Sequence, residues 1–403
     1  MGVCTPAGIG VSSYWEGLLK EKSYVTEITK FDASRYPSHI AGEIKDLDDH
    51  HQLDRRLIKK MDRFSVLGLV ASEQAVQDAQ LDFSKVDTDR VGVFIGNVLG
   101  GWQFAEDELR DSWALGIKEV SPYMASAWFP AAPQGQISIY YKLCGYGKTI
   151  ISDRASGVMS LGYAARTIAK GAADVILAGG VEAPVTPYAL LCCVTSGDLT
   201  TENSNPAKAY RPYDKNRRGL VIGEGAGILV LEDYEHARRR GVPIYGEIVG
   251  FGNTCDGVHY VRCAEDGVQM ARAITLALKE AQLQPQDLGA VIADGAAKPS
   301  EDVSETRALK LALGDYAKKI PISASKSMTG HLMGAQGVVD AVTALLAMEK
   351  GFIPPTINLE TPDPDCDLDY VPGQGRNLQA DYLLINSRGR GGVNAALVIK
   401  KGI

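Results

Sequence analysis

No stretch of the 403 residues approaches the ~18 consecutive apolar residues that a membrane-crossing helix requires, so no transmembrane part is expected. No run of as many as five basic residues occurs. Acids outnumber bases 49 to 42, and a formal net charge of −7 argues against a nucleic-acid binder. The seven cysteines (Cys4, Cys144, Cys192, Cys193, Cys255, Cys263 and Cys366) form no CxxC pair, and the six histidines supply no HxxxH. Neither a metal site nor a disulfide framework is expected, and no cofactor motif asks for a bound group. Met1-Gly2-Val3-Cys4-Thr5-Pro6 does not read as a signal peptide, and Pro6 stands where a myristoylation motif has Ser or Thr. A cytoplasmic protein is expected. What remains is an ordinary globular composition, 45% hydrophobic and 23% charged, whose length suggests two or three structural units.

Helical and strand patterns alternate, which predicts a layered α/β fold. Phe64, Leu67, Val70, Ala71 and Ala75 mark a helix over 64–79, and Val91-Gly-Val-Phe-Ile95 reads as a buried strand. The same order returns downstream with a helix over 267–282 and a short strand at Ala290–Ala293. Asp78-Ala-Gln-Leu81 is echoed by Glu280-Ala-Gln-Leu283, 202 residues further on. Two echoes in the same order suggest a duplication, with halves meeting near residue 240.

The most informative local unit runs from the β-branched segment Lys148–Ser152 through Asp153-Arg-Ala-Ser-Gly157 into a helix rich in small residues, 158–170. A strand, a sharp turn and a helix make the shape of a nucleophile elbow, with Asp153 or Ser156 as candidate helix cap. Its tip, however, is Arg154, which stays protonated and cannot attack a carbonyl. Ser156 is not in a GxSxG setting, because Arg154 and Val158 stand where glycines are needed, so a hydrolase is not expected. Gly223-Glu-Gly-Ala-Gly227 lacks GxGxxG spacing and precedes a strand, which excludes a dinucleotide loop. Arg388-Gly-Arg390 reads as a tight loop between apolar strands rather than an RNA-binding patch, and Arg238-Arg-Arg240 as a solvated helix end.

Five separated stretches carry a family resemblance. They are Arg211-Pro-Tyr-Asp214 with Gly219 and Gly223–Gly227, Lys326-Ser-Met-Thr-Gly-His331-Leu-Met-Gly334, Pro354-Pro-Thr-Ile-Asn358, and Gly389-Arg-Gly-Gly392-Val-Asn394. In this order they resemble the β-ketoacyl synthases, over essentially the whole chain. The resemblance implies an α/β thiolase fold of two pseudo-duplicated halves in α-β-α-β-α layers. Residues 1–240 would hold the elbow at 152–157, and 241–403 the loops at 292–295 and 326–334. It also implies that the chain begins inside the first family element, with a strand lost upstream.

An active member of the family carries a Cys-His-His set. Here the Cys position is Arg154 and the first His position is Asp294, while the second is retained as His331 with Lys326 beside it. A thiolate nucleophile and one oxyanion donor are thus replaced by groups that cannot do the same work. Ser152-Asp153-x-Ala155, Ala293-Asp294 and Ser126-Ala-Trp128-Phe129 resemble the chain length factors of type II polyketide synthases. That resemblance implies a subunit without condensing activity of its own. It would form a heterodimer with a catalytic ketosynthase, meet the acyl carrier protein mainly through that partner, and shape the tunnel that sets chain length. The alternative it leaves is a malonyl-acyl carrier protein decarboxylase. Trp102, Phe104, Trp113, Trp128 and Phe129 would then form the tunnel wall or the interface, and Lys148–Ser152 an edge strand at the partner. His331 and Lys326 are expected to be structural. Arg154 is expected to pair with Asp294, with Asp153 competing.

Overall fold

The computed structural model describes residues 1–402. Two mixed sheets form its body. The first is built from β1 (Gly2–Thr5), β2 (Gly8–Ile9), β3 (Val91–Gly96), β4 (Gly147–Ile150), β5 (Val175–Glu182) and β6 (Gly225–Glu232), in the order β2-β1-β6-β5-β3-β4. The second is built from β7 (Gly246–Cys255), β8 (Ala290–Ile292), β9 (Ile322–Ser323), β10 (Tyr382–Gly389) and β11 (Val393–Lys401), in the order β9-β8-β10-β11-β7. In both sheets the middle pair is antiparallel (Val175 opposite Glu232, Tyr382 opposite Lys400), and the strands beyond β5 and β10 run parallel to them. The two sheets therefore repeat one topology. Strand β1 is four residues long and pairs with β6 from Gly2 opposite Ile228 onward.

The principal helices follow the same repeat. They are α1 (Arg63–Asp78), α2 (Trp102–Ala114), α3 (Ser156–Ala169), α4 (Val268–Ala281), α5 (Pro299–Leu313) and α6 (Gln336–Lys350). The sequence echo has a structural meaning. Gln80 and Gln282 both adopt positive φ (49° and 58°) just past the ends of α1 and α4. Leu81 N then donates to Val76 O and Leu283 N to Leu278 O, at 3.1 and 3.0 Å. Each is the six-to-one bond that closes a left-handed helix cap, and the apolar leucine that follows packs back on its helix.

Helices α3 and α6 contribute to the main core between the sheets. Helix α6 is buried on nearly every side, as its apolar sequence Gly337-Val-Val-Asp-Ala-Val-Thr-Ala-Leu-Leu-Ala requires. Small residues set the approach of the two helices. A Cβ on Gly157 would come within 2.7 Å of Gly334 O, and one on Gly337 within 2.4 Å of a Val158 methyl. Strand β5, Val-Ile-Leu-Ala-Gly-Gly-Val-Glu, is buried throughout because both of its faces are covered.

Candidate functional site

Strand β4 delivers the chain into the elbow, and a chain of short hydrogen bonds makes the turn. Ala155 N donates to Ser152 O at 3.2 Å and Ser156 N to Asp153 O at 3.0 Å. Asp153 takes φ +50°, a conformation that short polar side chains tolerate. Ser156 is not the cap of α3. Its Oγ accepts from Ser152 N at 2.8 Å and lies within hydrogen-bond reach of Asp153 O and Asn97 O, which binds the turn to β3. Asp153 caps nothing in α3 either: its carboxylate turns outward to Arg390.

Arg154 is fully buried at the tip. Its Nη2 donates to Glu301 Oε2 at 2.8 Å, and its Nε lies 3.5 Å from Asp153 Oδ2. The expected pair with Asp294 does not form. Asp294 Oδ1 instead accepts from the backbone N of Arg388 on β10 at 3.0 Å, while Asp294 N and Gly295 N are held by Glu305. That leaves Glu301, in the first turn of α5, as the carboxylate facing the guanidinium. Burial alone would raise the Glu301 carboxyl, but the charges of Arg154 and Lys298 outweigh it and hold it at about 2. Asp294 is pushed up to about 6 by burial, against the pull of Arg154 and Lys326.

The 326–334 loop meets the same place. Lys326 is no free amine: its Nζ lies 2.9 Å from Asp340 Oδ2 and donates to Ala293 O at 2.5 Å. His331 Nδ1 accepts from Met333 N at 3.0 Å, so the other ring nitrogen carries the hydrogen, and Nε2 has no partner. Burial, reinforced by the charges of Arg154 and Lys326, pushes the His331 pKa far down and keeps the ring neutral. Arg154, Asp294, His331 and Lys326 thus share one buried neighbourhood. Among the described residues no cluster of His, Cys, Asp and Glu is arranged to hold a metal.

The aromatic stretch lies elsewhere and divides in two. Trp102 is half-buried and packs on the exposed rings of Tyr188 and Trp128, with ring centres 4.5 and 6.4 Å apart, and Phe104 N is anchored on Asp62. Trp113 is 81% exposed and Phe129 53%. They belong to a set of exposed apolar side chains that includes Leu115, Ile117, Ile139 and Ile151. Strand β4 pairs only with β3, so its other edge is open. Sequence reasoning missed Glu301, Lys298 and Asp198 around the elbow, and it read Arg390 only as part of a tight loop. The one local hint was Lys298-Pro-Ser-Glu301, an acidic first turn opened by proline.

Residues 1–237 match the model of the β-ketoacyl synthase N-terminal domain, and residues 245–360 that of its C-terminal domain. The chain belongs to the β-ketoacyl synthase family. It is 41% identical to a 3-oxoacyl-[acyl-carrier-protein] synthase 2 of Synechocystis over all of this chain and 96% of that protein. It is 38% identical to the synthase of the same name from Coxiella burnetii over all of this chain and 97% of that protein. Among solved structures it resembles a β-ketoacyl synthase from Burkholderia phymatum, with a TM-score of 0.92 and 32% identity over 99% of this chain and 97% of the other. It also resembles the ishigamide ketosynthase/chain length factor, with a TM-score of 0.91 and 31% identity over the same shares. A third match contains a type II polyketide synthase acyl carrier protein in complex with its ketosynthase, with a TM-score of 0.91 and 32% identity over 99% of this chain and 97% of that one.

These relatives overturn the functional assignment made from the elbow. The expectation of a non-catalytic chain length factor that sets product length, with a decarboxylase as its alternative, rested on a few substitutions around positions 154 and 294. Identity of 38–41% along the whole chain is instead to proteins named as condensing synthases. A few substitutions in one pocket change what that pocket can do, but they do not outweigh a likeness distributed over every layer of the fold.

Proposed function

We propose that this chain is a β-ketoacyl synthase subunit of a cytoplasmic, acyl-carrier-protein-dependent condensing system, and that it works as one half of a dimer of ketosynthase folds. The reaction class is transfer and carbon–carbon condensation of carrier-borne thioesters. One observation carries the assignment of roles: the elbow of this chain presents a buried, ion-paired guanidinium. A guanidinium cannot form a thioester, so the acyl group of the condensing reaction is not carried at position 154. The open edge of β4, which runs directly into the exposed Ile151, supports that face as the docking surface, since an unpaired edge beside an exposed apolar side chain calls for cover. Arg55, Arg56, Lys59 and Lys60 are all exposed around one helical turn, a local positive patch on an acidic chain. We read it as the place where an anionic partner such as the carrier protein is drawn in.

The test is acylation of the purified chain, alone and with a thiol-bearing ketosynthase chain, using isotopically labelled acyl carrier protein followed by mass spectrometry of both subunits. Condensation beyond that of the thiol-bearing chain alone, with no label on the peptide holding Arg154, is the expected result. Label on the peptide holding Arg154, or no condensation attributable to this chain either alone or in the mixture, would refute the reading.

A further inference from the structure

Six charged side chains at the elbow close into a ring. From Arg154 the path runs to Glu301 (2.8 Å), and from Glu301 Oε1 to Lys298 Nζ (2.5 Å). Lys298 Nζ then reaches Asp198 Oδ1 (2.5 Å), and Asp198 Oδ2 lies 3.5 Å from Arg390 Nε. Arg390 Nε donates to Asp153 Oδ1 (3.2 Å), and Asp153 Oδ2 returns to within 3.5 Å of Arg154 Nε. Cations and carboxylates alternate all the way round, so every charge has two neighbours of opposite sign. The ring also runs from floor to rim. Side-chain exposure rises from 0% at Arg154, through 4% at Glu301 and 6% at Asp198, to 17% at Asp153, 18% at Lys298 and 23% at Arg390.

Four separate segments meet in it: the elbow, the loop at Asp198, the start of α5, and the hairpin between β10 and β11. The backbone reinforces the hairpin's place. Arg390 N donates to Asp153 Oδ2 at 2.6 Å. Gly389 lies so close to the turn that a Cβ would sit 2.9 Å from both Asp153 Cβ and Ser152 O. Exposed single ion pairs contribute little, but here each partner is largely desolvated, and opening one link costs contacts on both sides.

We infer that this ring is a closure: it draws the Arg390 hairpin and the Lys298 segment across position 154 and shuts the elbow pocket to a carrier-borne chain. Loss of the thiol and loss of access are then separate features, and restoring a thiol does not reopen the pocket. The inference deepens the functional reading but is separable from it, because a small thiol reagent reports access without any acyl chemistry.

The experiment uses the full-length chain with Arg154→Cys, reacted with N-ethylmaleimide and followed by peptide mass spectrometry. The exposed native Cys144 and the buried Cys193 serve as internal references. The introduced thiol should react at least tenfold more slowly than Cys144. Adding Arg390→Ala should accelerate it at least tenfold, while Arg390→Lys, which keeps the charge, should leave it slow, with Cys193 unchanged throughout. A thiol at 154 that reacts as fast as Cys144 in the single variant, or that ignores Arg390→Ala, overturns the closure. Should Arg154→Cys fail to fold, Arg390→Ala alone should raise amide exchange over 150–156 at least tenfold. It should also speed labelling of Cys263, whose Sγ lies 3.5 Å from Gly389 O. No change in either measure overturns the inference equally.

Discussion

Glu301→Ala removes the carboxylate that Arg154 and Lys298 share. It leaves a fully buried guanidinium with only the 3.5 Å contact to Asp153. Breaking a buried pair from one side costs ~3–5 kcal/mol, since the remaining charge has no water to return to. Unfolding entropy of ~2.1 cal/mol/K per residue scales to about 0.85 kcal/mol/K for a chain of this length, so the Tm should fall by ~4–6 °C. A double-mutant cycle isolates the interaction. Arg154→Met with Glu301→Ala should be ~2–3 kcal/mol less destabilised than the two single losses added together. The same cycle between Arg154 and Asp294 should yield less than ~1 kcal/mol, because Asp294 is bound to the Arg388 backbone rather than to the guanidinium. Urea unfolding of the six proteins of the two cycles at pH 7, with thermal melts beside it, supplies every value. Stronger coupling to Asp294 than to Glu301 would refute the geometry.

Three further outcomes are expected. His331 stays neutral in the fold while the unfolded chain takes up a proton below ~6.5, so stability falls on acidification below that pH by up to ~1.4 kcal/mol per unit. His331→Asn should remove that share of the slope, and identical slopes from pH 6.5 to 5 would count against a neutral buried ring. Gly389→Ala should cost ~1–3 kcal/mol in urea unfolding, because the added methyl meets the elbow at 2.9 Å, and a neutral result would show that the hairpin yields easily. Ile151→Asp, at the open edge of β4, should leave the chain folded by circular dichroism while weakening its assembly in analytical ultracentrifugation; undiminished assembly would place the interface elsewhere.

Much of the architecture was legible because it is written in local patterns. The 3.6-residue period of Phe64–Ala75 gave α1, the run at Val91–Ile95 gave β3, and the Ala-Gln-Leu echo marked two equivalent caps. The strand–turn–helix at 148–157 could be placed, and Arg154 excluded as a nucleophile, from residue chemistry alone. The partner of Arg154 could not be found that way. Glu301 lies 147 positions away, and which of several acids faces the guanidinium depends on where α5 begins and on what already holds Asp294. The cap of α3 was misread because Ser156 and Asp153 are composition signals for capping, whereas their side chains are taken up by the turn and by Arg390. The functional assignment failed for a related reason: it gave a handful of pocket residues more weight than the rest of the chain.

The contact between α3 and α6 leaves no clearance for even a methyl group at Gly157 or Gly337. Two sheets clamped on such a spine cannot shear past each other, so the body of the subunit is mechanically one stiff plate. Any movement of one half is therefore carried to the other as rigid tilting of the whole plate and not as sliding of one half over the other.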